Sequence, residues 1–165
     1  MAATIGLAFA FSVLAFGRFG WTPRAWGAVP LFIALALISV LDFRAKIIPD
    51  VIALPGLAYA LALAATLKSP TMGEAVVGAL AGGGAVLLVA VVSRGAIGGG
   101  DIKLMAMLGA ALGWKWALAV LALSQAAALL VMLGLLIARR ERVRGPLPVG
   151  AVIALLGAMV LVGRP

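Results

Sequence analysis

The chain has 165 residues, of which 65% are hydrophobic and 11% charged, and its formal net charge is +8. Soluble domains carry about 25% charged residues, so a chain with this much apolar surface requires lipid as its solvent. The absence of cysteine and histidine excludes disulfides, thiol nucleophiles, serine–histidine triads and zinc sites built from these residues. We therefore expect no metal and no cofactor. The basic charge is interpreted as a signal that orients membrane helices, and not as a nucleic-acid-binding surface.

Apolar runs alternate with charged breaks, which predicts an all-α, polytopic transmembrane helix bundle that forms a single domain over residues 1–165. The predicted spans are roughly 2–16, 28–41, 51–67, 75–92, 102–112, 117–138 and 147–162. Several are shorter than the ~20 residues that a bilayer usually requires, and we count six or seven crossings and prefer seven. The first run resembles a signal peptide superficially, but it lacks a basic start and a clear cleavage site. We expect it to be a retained span.

With seven crossings, the basic residues divide unequally between the two membrane faces. One face holds Arg44, Lys46, Arg94, Lys103, Arg139, Arg140, Arg142 and Arg144, and the other holds Arg18, Arg24, Lys68, Lys115 and Arg164. The more basic face is expected to be cytoplasmic. We expect a multi-pass protein of the cytoplasmic (inner) membrane. The same face carries four of the five carboxylates, namely Asp42, Asp50, Asp101 and Glu141.

Two of these acids stand out by their position. Asp42 lies where the second span ends, and an ionisable residue at such a boundary is either a solvated helix end or a functional group. Asp101 follows Gly98-Gly99-Gly100 and opens an apolar segment. It is either an ordinary helix N-cap or a functional acid, since glycines permit close approaches that other residues cannot make.

The two acids are best interpreted together, because they lie on separate helices at the same predicted face. Two carboxylates held close cannot both ionise comfortably and share a proton. The ionised partner can deprotonate a water while the protonated partner polarises a scissile carbonyl, which is peptide hydrolysis by carboxylates alone. A helix N-terminus favours negative charge and a C-terminus disfavours it, so we expect Asp101 to be the ionised partner and Asp42 the protonated one.

Three short motifs carry a family resemblance. Asp42 is followed after six residues by Pro49, the second acid stands in Gly98-x-Gly100-Asp101-x-Lys103, and Pro148-Val149-Gly150 comes near the last span. This pattern, from about residue 41 to residue 152, resembles the prepilin peptidases (type IV leader peptidases) of the GxGD class of membrane aspartic proteases.

The resemblance implies a membrane aspartic endopeptidase that cleaves the leader from a prepilin or pseudopilin at the cytoplasmic face. Its substrate would carry a basic leader followed by an apolar helix. The catalytic residues would be Asp42 and Asp101. The residues that shape the site or bind substrate would be Gly98, Gly100, Lys103 and Pro49.

The sequence departs from the family pattern in three respects. Asp50 stands where the family usually has asparagine, and we interpret it as the N-cap of the third span. Val149 replaces an aromatic residue. The cysteine-rich segment that the larger bifunctional members use for N-methylation has no counterpart, so the chain resembles the short peptidase-only form of tight-adherence (Flp-type) pili.

Other interpretations stay open. Lys103 is either a lysine that extends to the membrane interface or a source of positive potential beside the acids. The chain as a whole could be a small transporter or channel subunit that uses the two aspartates as ion or proton sites, or a catalytically silent membrane scaffold. The sequence does not indicate an oligomeric state.

Overall fold

The computed structural model describes residues 2–94, 98–137 and 149–163, and these residues form seven α-helices. The helices are α1 (Ala2–Phe19), α2 (Pro23–Ala45), α3 (Asp50–Leu67), α4 (Met72–Val92), α5 (Gly99–Leu112), α6 (Trp114–Ile137) and α7 (Val149–Gly163). The prediction of an all-α bundle of apolar helices is therefore confirmed.

The helices differ in their ability to cross a bilayer. Four are long and apolar enough to do so, namely α2, α3, α4 and the first 18 residues of α6, while α1 and α7 are shorter apolar helices. The 14 residues of α5 extend only about 21 Å, against the roughly 30 Å thickness of a hydrocarbon core. Of the seven crossings that we preferred, four are thus supported by helix length and composition. Helix α5 is too short to cross by itself.

The short helix α5 lies at the centre of the bundle and contacts α3, α4, α6 and α7. Its side chains at Leu104, Met105 and Leu108 are at most 1% exposed. Because its neighbours cover it, α5 does not need the length that a lipid-facing helix requires.

Helices α4 and α5 pack antiparallel through residues that have no side chain at the crossing. A Cβ on Gly78 would collide with the backbone of Gly109, and a Cβ on Gly82 would lie 2.6 Å from the carbonyl oxygen of Met105. Small residues allow membrane helices to approach this closely, and the close approach gives them van der Waals contact. Gly82 therefore serves the close packing of α4 against α5.

The connection between α2 and α3 brings the first acid into the bundle. The predicted span of 28–41 placed Asp42 just beyond the end of the helix. Helix α2 instead continues to Ala45, so Asp42 lies within its last turn. Lys46 ends the helix in the left-handed region (φ 54°), and Ile48 then turns back into the core at 9% exposure. The buried side chain of Ile48 anchors the α2–α3 loop in the core next to the end of α2 that carries Asp42.

Candidate functional site

Three helix ends converge at the buried carboxylate of Asp42, which is only 7% exposed. They are the last turn of α2, the first turn of α5 with Asp101, and the first turn of α7 with Gly150. If Gly150 carried a Cβ, that atom would lie 3.0 Å from Asp42 Oδ2 and 3.0 Å from Asp101 Oδ1. Both carboxylates therefore lie beside Gly150 of α7, and the structure brings together the two acids that the sequence singled out.

The carboxylate of Asp42 has a specific hydrogen-bond donor. The backbone N–H of Ala151, the third residue of α7, donates to Asp42 Oδ2 over 2.7 Å in a buried setting. The first four N–H groups of a helix have no acceptor within that helix, so this bond satisfies one of them from another helix. A hydrogen bond donated to a carboxylate stabilises its charged form.

Asp101 is the third residue of α5, a helix that is not among the four spans. The residue preceding this helix is Gly98, so Asp101 is not an N-cap and its carboxyl group is free to face Asp42. Burial, and after it the negative charge of Asp42, raises the pKa of Asp101 from 3.8 to about 6. Both effects favour the protonated form of this acid, in contrast to the sequence-based expectation that Asp101 is the ionised partner.

The other predicted site residues differ in what the structure assigns to them. A Cβ on Gly100 would lie 2.7 Å from the Cβ of Ile48, so the glycine lets α5 approach the α2–α3 loop. Gly98 is exposed, and a Cβ added to it would have nothing within 4 Å. Packing therefore does not explain why this residue is a glycine. Pro49 occupies the N-cap position of α3.

Lys103 pairs with an acid outside the central pair. Its Nζ lies 2.5 Å from Oδ2 of Asp50, and the two side chains are 36% and 56% exposed. The interpretation of Asp50 as the N-cap of α3 is wrong, because the helix begins at Asp50 itself and no side chain caps it. The sequence could not show that this acid would meet a lysine 53 positions away.

The arrangement can perform acid–base chemistry with two carboxylates of unlike environment. One accepts a buried N–H bond and the other is partly desolvated, which is the kind of difference that assigns a base and an acid. Within the described ranges, no group of three or more His, Cys, Asp or Glu residues could hold a metal ion.

The fold and this site define a class of protein, namely a polytopic helical membrane protein with two aspartates from different helices meeting at one end of the bundle. The chain matches the Type IV leader peptidase family over residues 29–163 and belongs to that family. The matched range contains both aspartates and the start of α7.

Curated relatives agree with this assignment. The chain is 32% identical over 152 residues to a prepilin leader peptidase/N-methyltransferase of Pectobacterium carotovorum subsp. carotovorum, covering 86% of this chain and 53% of the relative. It is also 32% identical over 158 residues to the protein of that name from Pseudomonas putida, covering 93% and 54%. The chain thus spans about half the length of these relatives. No solved structure shows significant similarity to it.

Two groups at the site were not predicted from the sequence, namely the backbone N–H of Ala151 and the side chain of Ile48. The donor on Ala151 is a backbone group, and a backbone N–H has no sequence signature of its own. Ile48, which contacts the positions of both Gly100 and Gly150, resembles any other apolar residue of a loop. Of the motif Pro148-Val149-Gly150, the structure places Gly150 beside the two aspartates, and Pro148 lies outside the described residues.

Proposed function

We propose that the chain is a membrane aspartic endopeptidase that removes leader peptides from prepilins with an Asp42/Asp101 dyad and a water molecule. The observation that carries the proposal is the meeting of the two carboxylates beside Gly150, where an oxygen of each lies 3.0 Å from the position that a Cβ on this glycine would occupy. Membership of the Type IV leader peptidase family and the prepilin peptidase names of the relatives support it.

The proposed reaction assigns one role to each acid. Ionised Asp42 takes a proton from water, and the resulting hydroxide attacks the carbonyl carbon of the scissile peptide. Protonated Asp101 donates its proton to the carbonyl oxygen, which forms a neutral gem-diol. Asp101 then takes a proton back from the gem-diol, and Asp42 gives its proton to the leaving nitrogen as the C–N bond breaks. The products are a new carboxyl group and a new amine, and the dyad returns to its starting protonation.

The substrate class follows from the family, together with the membrane setting. A prepilin that carries a basic leader before an apolar helix would place its cleavage site at the membrane interface, where the dyad lies at one end of the bundle. The described basic residues Arg44, Lys46 and Arg94 are exposed at this same end, which supports a cytoplasmic orientation. We also propose that the chain acts as a peptidase of the Flp-type pilus, in the inner membrane.

Cleavage by the purified protein tests the proposal directly. A candidate Flp-type prepilin is incubated with the protein in detergent or nanodiscs, and mass spectrometry reports the mature N-terminus. We expect a single cut at the leader junction in wild type. Asp42→Asn and Asp101→Asn should each lower the rate by at least about 10³-fold while the thermal unfolding midpoint stays close to wild type, because the two acids act as a unit.

The alternatives give different results in the same preparation. A transporter or channel would show gradient-dependent ion flux in proteoliposomes and no cleavage. A silent scaffold would show neither activity and would be unaffected by the Asp→Asn changes. Near wild-type cleavage by either Asp→Asn variant would refute the dyad.

A further inference from the structure

Helix α7 begins directly against the dyad. Its first turn supplies the amide of Ala151, which donates to Asp42 Oδ2 over 2.7 Å. This turn is the positive end of the helix dipole, and both the dipole and the free N–H groups attract a negatively charged oxygen. Asp42, by contrast, lies in the last turn of its own helix, where the α2 dipole opposes its charge. The first turn of α7 offsets that unfavourable position.

The approach of α7 depends on the missing side chain of Gly150. A Cβ there would lie 3.0 Å from an oxygen of each aspartate and 2.8 Å from Cδ1 of Ile48. The first two contacts are with the functional oxygens themselves, which cannot move aside without changing the geometry of the dyad. Gly150 belongs to α7 with ordinary helical geometry, so the requirement is one of space and not of backbone conformation.

We infer that Gly150 and the Ala151 amide are positioning elements that hold Asp42 as the ionised partner of the dyad. The catalytic meaning of this inference rests on the proposed peptidase function. The amide selects one oxygen of Asp42 and favours its charged form, and the glycine permits the amide to reach it. This reverses the assignment drawn from helix position alone, because that assignment considered α2 and α5 but not α7.

Within residues 2–94, 98–137 and 149–163, few other charged side chains surround Asp42. Asp101 on α5 is the acid that faces it across Gly150. Arg44 follows on α2 and is exposed, and Asp50 and Lys103 pair with each other. Helix α7 carries no ionisable side chain. The single charged side chain of α1 is Arg18, in the last turn of α1, at the end of the bundle opposite to Asp42. The amide of Ala151 is the donor that the structure assigns to this carboxylate.

The first test separates positioning from substrate binding. Gly150→Ala places a methyl group between the two carboxylates, and Gly163→Ala, on the same helix with nothing within 4 Å of its new Cβ, is the matched control. We expect kcat of Gly150→Ala to fall by about 10²-fold, since a small misplacement of a catalytic group has an effect of this size, while KM changes little. Gly163→Ala should keep both values.

A steric contact with Ile48 alone is checked by a second variant. In Ile48→Val/Gly150→Ala the Cδ1 atom that crowds the new methyl group is removed, but both carboxylate oxygens remain in place. The inference predicts that kcat stays low in this double variant. Recovery of wild-type kcat would show that Gly150 only makes room for Ile48, and would overturn the inference.

The second test reads the protonation state without any substrate. The chain has three aspartates, so carbon-13 aspartate in an Asp50→Asn background labels only the dyad. Adding Asp101→Asn leaves Asp42 as the one labelled carboxyl group, and its infrared bands at a fixed neutral pH report the ionised fraction. We expect a mainly ionised group, and a smaller ionised fraction when Gly150→Ala is added. An unchanged fraction would overturn the inference.

A final variant removes only the donor. Replacing Ala151 by its α-hydroxy analogue through nonsense suppression turns the amide into an ester and keeps the side chain, so it applies even if Gly150→Ala does not fold. A lower ionised fraction of Asp42 is expected here too, and wild-type behaviour would contradict the role of the amide. If wild type cleaves no prepilin but the infrared results hold, the proposed function fails and the positioning of Asp42 stands. If wild type cleaves and these variants are unaffected, only the positioning fails.

Discussion

Lys103 in α5 and Asp50 at the start of α3 form an ion pair, with 2.5 Å between Nζ and Oδ2. The pair joins the helix that carries Asp101 to the helix that follows the loop of Ile48. It lies at the exposed edge of the site and takes no part in the buried contacts of Asp42. Its effect on the dyad is therefore through the relative placement of α3 and α5.

Removing this ion pair should have a small effect. Pairs with side chains as exposed as these stabilise proteins by about 0–1 kcal/mol, so Asp50→Asn should keep the cleavage rate within about tenfold of wild type. Asp50→Lys places two lysines together and should be slower, and Asp50→Lys/Lys103→Asp should recover part of the loss. Rates at low and high salt check the cause, because salt screens exposed charges. An inactive Asp50→Asn variant would assign Asp50 to the catalytic machinery.

The dependence on pH follows from Asp101. Its raised pKa of about 6 means that the proton needed by the proposed reaction is lost as the pH rises through about 6, so kcat/KM should decline on that alkaline side. The free energy of unfolding should also decrease as the pH rises. The folded state holds this proton up to about pH 6 and the unfolded state releases it near 3.8, so stability falls between these values as the pH rises.

Thermal unfolding across pH 4 to 7 measures the stability part without substrate. Asp101→Asn is the matched control, since it lacks the titrating group and should lose the corresponding slope. An identical slope in both proteins would show that Asp101 does not titrate in this range.

The crossing of α4 and α5 should be sensitive to a single methyl group. Gly78→Ala and Gly109→Ala each direct a Cβ into backbone of the opposite helix, which cannot rotate away as a side chain can. We expect a loss of about 1–3 kcal/mol for each, the usual cost of overpacking. Gly84→Ala, in the same helix with open space at its Cβ, should be neutral. Unfolding in detergent gives the comparison, and equal stability of all three variants would contradict the close crossing.

The orientation of the site in the membrane can be read by labelling. The chain has no cysteine, so Arg44→Cys near the dyad and Lys115→Cys at the start of α6 provide single exposed thiols in helical positions. In intact inner-membrane vesicles of known sidedness, we expect the thiol at 44 to react only from the cytoplasmic side and that at 115 only from the other side. The reverse pattern would place the dyad outside the cytoplasm.

Sequence patterns predicted some features of this site better than others. The paired acids could be found because Asp is conspicuous at the ends of apolar segments, whereas Gly150 was noted only through the family resemblance. The structure brings Asp42, Asp101 and Gly150 together. The end of α2 was predicted several residues too early, because the helix continues through polar residues after the apolar run has ended. The role of Asp50 was missed because its partner is remote in sequence. The donor on Ala151 could not be predicted, because every residue except proline carries the same N–H.

The hydrogen bond from Ala151 to Asp42 also has a consequence for biosynthesis. A ribosome makes α2 and α5 before α7, so a nascent chain that extends only through α6 already contains both aspartates but not the amide that holds one of them. The acid pair is thus assembled in stages, and its last component arrives with α7. Under the proposed function, a chain that ends before α7 would carry both acids without the donor that positions Asp42, and it would be a poor catalyst until α7 is made.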